Sequence, residues 1–207
     1  MNHLSVGFDL DDVLLPSGIR MVEWHNERYG TNLSIDHWYV DNTVESWAVK
    51  HESEILERIN MFVSSEDYFS GLQPIEGATR LLDELDAAGD HKFGVTGRSP
   101  ALAKVTYRAL EVCYPGAFPL GTVNFINHST INRKNNKLTK LQIALTHKAT
   151  HIMDDLPEHL LPMPDHGIKG LVYGDYPHNR DVVLRPELVR VATMNDARLE
   201  LRRDREL

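Results

Sequence analysis

The chain has 207 residues, 42% hydrophobic and 25% charged, with a formal net charge of −8. That is the mix of a soluble globular protein with a full core, and one domain carrying an insertion is the natural organisation. The acidic balance argues against a protein that coats nucleic-acid polymers or anionic membranes through a basic face, and no run approaches a membrane span. A small anionic substrate stays compatible, because a divalent cation reverses the local field. The single cysteine, Cys113, excludes an intrachain disulfide and fits a reducing compartment; its neighbours Val112 and Tyr114 predict a packed, inert thiol. The N-terminus lacks a basic-then-apolar signal pattern, so a cytoplasmic protein is expected.

Residues 4–10 form an apolar run rich in strand formers, and Asp9 and Asp11 arrive where that predicted strand ends. Side chains two apart on a strand share a face, which would aim both carboxylates into one crevice. Residues 19–29 read as a helix stopped by Gly30. The following stretch turns aromatic, with Trp38, Tyr39, Trp47, Phe62, Tyr68 and Phe69 coming after Trp24 and Tyr29. Within it, 52–63 carries Ile55, Leu56, Ile59, Phe62 and Val63 at helical spacing. We read residues 16–73 as a small helical insertion whose aromatics mostly pack on one another, with one or two free to line a pocket beneath. Residues 1–15 and 74–207 form the main domain.

That domain resumes with an amphipathic helix over 78–85, its face formed by Leu81, Leu82 and Leu85. A strand over 92–95 runs straight into Thr96-Gly97-Arg98-Ser99-Pro100, and a helix is expected over 101–112. A third strand covers 121–125. The segment 132–140 is polar and basic, with Arg133, Lys134, Lys137 and Lys140, and a helix over 138–147 follows. A fourth strand over 149–153 ends in Asp154 and Asp155, a fifth covers 170–173, and a helix over 195–205 closes the chain. Strands alternating with helices predict the α/β class, a parallel sheet covered on both faces.

Several predicted strand ends carry polar side chains: Asp9 and Asp11, Thr96, and Asp154 with Asp155. Ligand sites in open α/β sheets lie at those ends. Mg²⁺ takes oxygen ligands and often binds one or two carboxylates plus a phosphate. Asp9 and one of Asp154 and Asp155 could supply carboxylates, and the Asp11 main-chain carbonyl a third oxygen. One carboxylate could attack phosphorus while a second protonates the leaving alkoxide and then activates water. Thr96 and a lysine could bind the equatorial oxygens of the phosphoryl group. The eleven histidines are scattered; His147 and His151 are four apart, but a strand start separates them, which speaks against zinc.

In this arrangement the chain resembles the haloacid dehalogenase (HAD) superfamily of aspartate-nucleophile phosphatases. The Asp-x-Asp motif matches Asp9-Leu10-Asp11, the strand-ending hydroxyl matches Thr96, the helix-start lysine matches Lys140 or Lys137, and the acidic pair matches Asp154-Asp155. The resemblance implies a Rossmann-like parallel sheet with a small helical cap inserted after the first strand. It implies Asp9 as nucleophile and Asp11 as general acid/base. Thr96, Gly97, Arg98 and Lys140 would bind phosphate, and Mg²⁺ would be held by Asp9, Asp11, Asp155 and Asp154. A narrower likeness is to the 5′(3′)-deoxyribonucleotidases, carried by 24–30, the Trp47 region, 69–78 and 173–180. It implies a nucleoside monophosphate as substrate, with Trp24, Trp38, Tyr39 and Trp47 as cap residues able to stack on a base. Lys140, fourteen positions before Asp154, fits that family's spacing better than Lys137. Asp12 replaces a common Gly, and Gly97-Arg98 replaces smaller residues. Arg98 is read either as a further phosphate contact or as the partner of a surface carboxylate. Glu158 is read either as an acid orienting metal-bound water or as a loop acid. The partner expected is a small phosphorylated molecule, with no nucleic-acid polymer and no membrane; a homodimer stays open. The rival readings are a sugar-phosphate phosphatase and a nucleotide-binding protein without turnover. A dehalogenase is disfavoured by Asp11, since it has no alkoxide to protonate.

Overall fold

A computed structural model describes residues 3–39, 43–126 and 139–206. Six parallel strands form one sheet: β1 (Ser5–Phe8), β2 (His91–Thr96), β3 (Val123–Phe125), β4 (His151–Asp154), β5 (Lys169–Tyr173) and β6 (Leu188–Val191). Their order is β3-β2-β1-β4-β5-β6, so β1 lies at the centre and is buried along most of its length. A parallel sheet needs cover on both faces. Alternation along the strands supplies it: Val6, Phe8, Met153 and Leu171 join one apolar cluster, while Phe93, Val95, Ile152 and Val172 join another.

Four helices stand between β1 and the helix that leads into β2: α1 (Ser17–Tyr29), α2 (Ile35–Tyr39), α3 (Glu52–Ser64) and α4 (Glu66–Phe69). Gly30 ends α1 in the left-handed region at φ 65°, its N–H donating to the Asn26 carbonyl. The remaining helices are α5 (Ala78–Ala87), α6 (Ala103–Cys113), α7 (Lys140–Thr146), α8 (Pro157–Leu160) and α9 (Met194–Glu206). A capping box fixes the start of α7, where the Thr139 hydroxyl accepts from the Gln142 N–H and the Gln142 side chain accepts from the Thr139 N–H. Lys140 is thereby the first residue of that helix. Cys113 is buried, and burial pushes its thiol up to about 11, so it is an inert packed group.

The fold corrects the sequence reading at three places. The first strand stops at Phe8, two residues earlier than the apolar run, so Asp11 lies in a turn and not on the strand. The edge strand β6 is not anticipated: it is short, follows Pro186 and carries Arg190 in its middle. The aromatics of the helical segment are not a separate mini-core. Trp24, Trp47, Phe62 and Tyr68 pack in the same apolar cluster as Val6, Phe8 and Leu81. Among the described residues no helix is long and apolar enough to cross a membrane.

Gly7 shows how tightly β1 is enclosed. A Cβ there would stand 2.4 Å from Ile152 Cδ1 and 2.7 Å from Phe93 Cζ. Gly7→Ala is therefore expected to cost roughly 1–3 kcal/mol by overpacking, read as a lower urea midpoint at an unchanged slope.

Candidate active site

The carboxyl ends of β1, β2 and β4 deliver the polar groups. Asp9 continues directly from β1, its N–H donating to the Met153 carbonyl at 2.8 Å. Asp154 is the last residue of β4 and Asp155 the next; all three carboxylates are buried. One oxygen from each lies within 4.8 Å of the others, and among the described residues no other three metal-capable side chains gather in this way. A single lysine answers them: Lys140 Nζ lies 3.0 Å from Asp9 Oδ1 and 2.5 Å from Asp154 Oδ2.

Three carboxylates against one ammonium leave an excess of negative charge in a site with little solvent. The strain is shared unequally. Burial raises Asp9 to about 6, against the pull of Lys140, with Asp154 and Asp11 adding to the rise. Burial also works to raise Asp154, but Lys140 and then His159 outweigh it and hold that carboxyl at about 2. Asp155 has no comparable cation, and burial together with Asp154 and Asp9 pushes it well above its ordinary value. Lys140 is raised: burial would lower it, and Asp154 and Asp9 prevail. Oxygen donors, excess charge and burial are what a hard divalent cation requires. Asp9, Asp154 and Asp155 thus fit such an ion; the Asp11 carboxylate stands outside their cluster.

Asp11 has a cation of its own. Arg98 Nη2 donates to Asp11 Oδ1 at 2.6 Å and Nε to Oδ2 at 3.0 Å. Against the effect of burial, Arg98 holds the Asp11 carboxyl below its ordinary value, with help from the Ser17 hydroxyl. The turn that carries Asp11 passes through Asp12 at φ 60°, a left-handed conformation that a glycine takes freely and an aspartate tolerates. Asp12 then uses its side chain locally, Oδ1 accepting from the Gly18 N–H at 2.8 Å. At the end of β2, Thr96 is fully buried and its Oγ1 accepts from the Arg98 N–H at 3.1 Å.

The family model described as 5′ nucleotidase, deoxy (pyrimidine), cytosolic type C protein (NT5C) matches residues 2–200. The chain belongs to this family. It is a hydrolase of the HAD phosphatase type. No curated protein sequence matches it. Solved structures share the fold at low identity. A HAD family hydrolase from Deinococcus radiodurans R1, solved with bound phosphate and sodium, superposes with a TM-score of 0.62 at 16% identity, covering 99% of this chain and 97% of that one. A haloacid dehalogenase-like hydrolase from Streptococcus pneumoniae gives 0.59 at 18% identity, with 98% of each chain covered. A family IA HAD hydrolase from Entamoeba histolytica gives 0.61 at 14%, covering 93% and 94%.

In this 5′-nucleotidase-family chain, Asp9, Asp154, Asp155 and Lys140 meet as one buried group, and Thr96 stands at the adjoining strand end. Lys137 and the Tyr39 side chain lie outside the described residues, as do Arg133 and Lys134. The carboxylate that Arg98 pairs with is not a surface group but Asp11. Glu158 is exposed on α8 and is not part of the carboxylate cluster. His147 lies beside His91 and Asn124, and His151 pairs with Asp204. Sequence reasoning missed four side chains. Ser17 and Tyr68 reach the Asp11–Arg98 pair. His159 Nδ1 lies 3.2 Å from Asp154 Oδ1, and His178 Nε2 lies 3.0 Å from Asp155 Oδ2. The loop over 176–180 carried the only signal for His178, a polar cluster following a strand.

The aromatics of the helical segment divide. Trp24 is buried against Phe62 and donates from Nε1 to Asp67, and Trp47 is fully buried against His25. Trp38 is half-buried and borders the site loop: a Cβ on Gly18 would stand 2.8 Å from both Trp38 Nε1 and Asp12 Oδ2. His25 is fully enclosed, with Arg58 Nη1 2.7 Å from its Nε2. Burial, then Arg58, pushes His25 from 6.5 down to about 4. A folded pKa below the unfolded one means that the unfolded chain takes up the proton first. The stability held by neutral His25 is full above 6.5 and is lost as pH falls towards 4. His25→Gln should therefore flatten the decline of urea stability between those two values by about 1.4 kcal/mol per pH unit relative to the parent.

Proposed function

We propose that the protein hydrolyses phosphomonoesters through an aspartyl-phosphate on Asp9, with (deoxy)nucleoside monophosphates as the substrate class. The observation that carries this reading is the buried group of Asp9, Asp154 and Asp155 around Lys140 in a chain of this family. In the first step an Asp9 carboxylate oxygen attacks phosphorus, the bond to the ester oxygen breaks, and Asp11, ionised in the free protein, passes to that oxygen the proton that the phosphate monoanion of the substrate brings. In the second, Asp11 takes a proton from water, the water oxygen attacks phosphorus, and the bond to Asp9 breaks, releasing phosphate. The two displacements divide one difficult hydrolysis into easier halves.

Thr96, the Gly97 backbone and Lys140 would bind the phosphoryl oxygens. Arg98 leaves that set, since its donors already serve Asp11, Ser17, Tyr68 and Thr106. Asp9, Asp154 and Asp155, with the Asp11 main-chain carbonyl, would hold Mg²⁺. Bound there, the ion would offset the excess carboxylate charge and polarise the phosphoryl group. Residues 16–73 act as the cap, and of its three tryptophans Trp38 is the half-buried one that borders the site loop, suited to stack on a base. The preference for deoxynucleotides rests on the family's description and is assigned on that ground alone, as is a cytoplasmic location.

The test is phosphate release from a panel of nucleoside monophosphates and sugar phosphates, with Mg²⁺, with EDTA, and with Asp9→Asn. Nucleotide turnover that EDTA abolishes and Asp9→Asn lowers by about a thousandfold, about 4 kcal/mol of barrier, is the expected result. Turnover confined to sugar phosphates would discard the nucleotide reading and keep the chemistry. Binding of nucleotide with no turnover would discard the chemistry. Independently of activity, Mg²⁺ at a hundred times its Kd should stabilise the parent by about 2.7 kcal/mol. Asp155→Asn should lose most of that gain in thermal melts.

A further inference from the structure

The surroundings of Asp11 are more elaborate than a pair of opposite charges requires. Arg98 is only 8% exposed, yet it spends three donor contacts on one carboxylate: Nη2 to Oδ1 at 2.6 Å, and Nε to Oδ1 and Oδ2 at 3.2 and 3.0 Å. Ser17 Oγ donates to the same Oδ1 at 2.5 Å. Oδ1 therefore takes two short bonds, while Oδ2 takes one and the side chain keeps 32% of its surface open. The guanidinium is held from behind as well. Nη1 donates to Thr106 Oγ1 at 3.2 Å and Nη2 to Tyr68 Oη at 2.9 Å. Tyr68 is fully buried, its hydroxyl 3.4 Å from Ser17 Oγ and its ring 5.5 Å from the Arg98 Cζ.

We propose that Tyr68 is a positioning residue for ester cleavage: through Arg98 and Ser17 it pins Asp11 by Oδ1 and leaves Oδ2 as the oxygen that serves the leaving group. This rests on the reading of Asp11 as the acid that protonates that group. A proton donor works only within hydrogen-bond reach of the atom it protonates, and small displacements of a reacting group are costly. An Asp side chain can turn about its Cβ–Cγ bond and present either oxygen; two short bonds on Oδ1 remove that freedom. Tyr68 fixes the guanidinium that makes one of those bonds and borders the hydroxyl that makes the other. Losing its hydroxyl takes from Arg98 Nη2 its acceptor at 2.9 Å and leaves Ser17 Oγ, at 3.3 Å, as the one to turn to, so the guanidinium is drawn towards Ser17 and away from its place on Asp11.

The prediction separates leaving groups. A pyrimidine deoxynucleoside 5′-monophosphate must release an alkoxide that needs a proton, whereas p-nitrophenyl phosphate releases a stable anion that does not. The quantity compared is kcat/KM in Mg²⁺, which reports the first phosphoryl transfer alone. Tyr68→Phe keeps the ring and is expected to lower kcat/KM for the nucleotide roughly tenfold, the aryl ester by less than about threefold, with inhibition by inorganic phosphate little changed. Ser17→Ala should show the same split and carries the test if Tyr68→Phe does not fold by circular dichroism. Asp11→Asn is the reference. If it shows the split and neither of the other variants does, the positioning role is overturned while the role of Asp11 stands. If Asp11→Asn lowers both esters equally, the acid reading fails and the proposal with it. Equal losses on both esters in Tyr68→Phe and Ser17→Ala, with weaker inhibition by phosphate, would make the network a phosphate-binding support and overturn the proposal.

Discussion

Three buried carboxylates sharing one ammonium are the constraint on which this half of the molecule turns. Asp9, Asp154 and Asp155 approach one another because β1 and β4 are adjacent and end at the same level. Leaving such charges buried without partners would be prohibitive, and partners must come from outside the strands. Lys140 is delivered by α7, whose start is fixed by the Thr139–Gln142 capping box. His159 comes from α8 against Asp154, and His178 from the loop after β5 against Asp155. The local structure of three separate elements is therefore answerable to one excess of charge. What the protein does not supply internally, a divalent cation can.

Beside this group sits a second one organised on the opposite principle. Asp11 is paired by Arg98 so completely that it is held in the ionised range, while Asp9 and Asp155 are pushed upward by burial and by each other. Carboxylates whose environments drive them apart take different chemical roles. The separation follows the cations: Lys140 is shared by Asp9 and Asp154, and Arg98 serves Asp11. Asp11, ionised in the free protein, is thus the carboxylate ready to take up a proton, and Asp9 and Asp155 are the ones whose burial calls for a cation.

What the sequence made legible is what lies on strand ends. Asp9, Thr96 and Asp154-Asp155 could be read because a parallel sheet gathers strand termini at one edge, and because apolar runs locate those termini. Lys140 was preferred to Lys137 by the resemblance alone, whose spacing before Asp154 it fits. Contacts made across the chain were not. Arg98 and Asp11 are separated by 87 positions, and nothing local distinguishes an arginine that meets an active-site acid from one that meets a surface acid. Tyr68 read as one aromatic among several, although its hydroxyl and not its ring sets it apart. The turn at Asp12 was seen only as a departure from glycine; its φ of 60° explains why glycine is usual there and why aspartate, which can bond its own neighbourhood, is an acceptable substitute. The edge strand β6 escaped because its pairing, and not its composition, makes it a strand.

Besides its apolar packing, the helical segment brings a polar side chain from each of its ends to the Asp11–Arg98 pair. Its first helix begins at Ser17, whose hydroxyl donates to the Asp11 carboxylate, and its last carries Tyr68, which accepts from Arg98. Arg20, one turn into α1, ties the two ends together by donating to the main-chain carbonyls of Asp67, Tyr68, Ser70 and Gly71. The junction is thus a closed loop of bonds, entering at Ser17 and returning at Tyr68, with the carboxylate inside it. The place of the Asp11 carboxylate is in this way fixed from both ends of one helical segment, although those ends lie fifty-one positions apart in the chain.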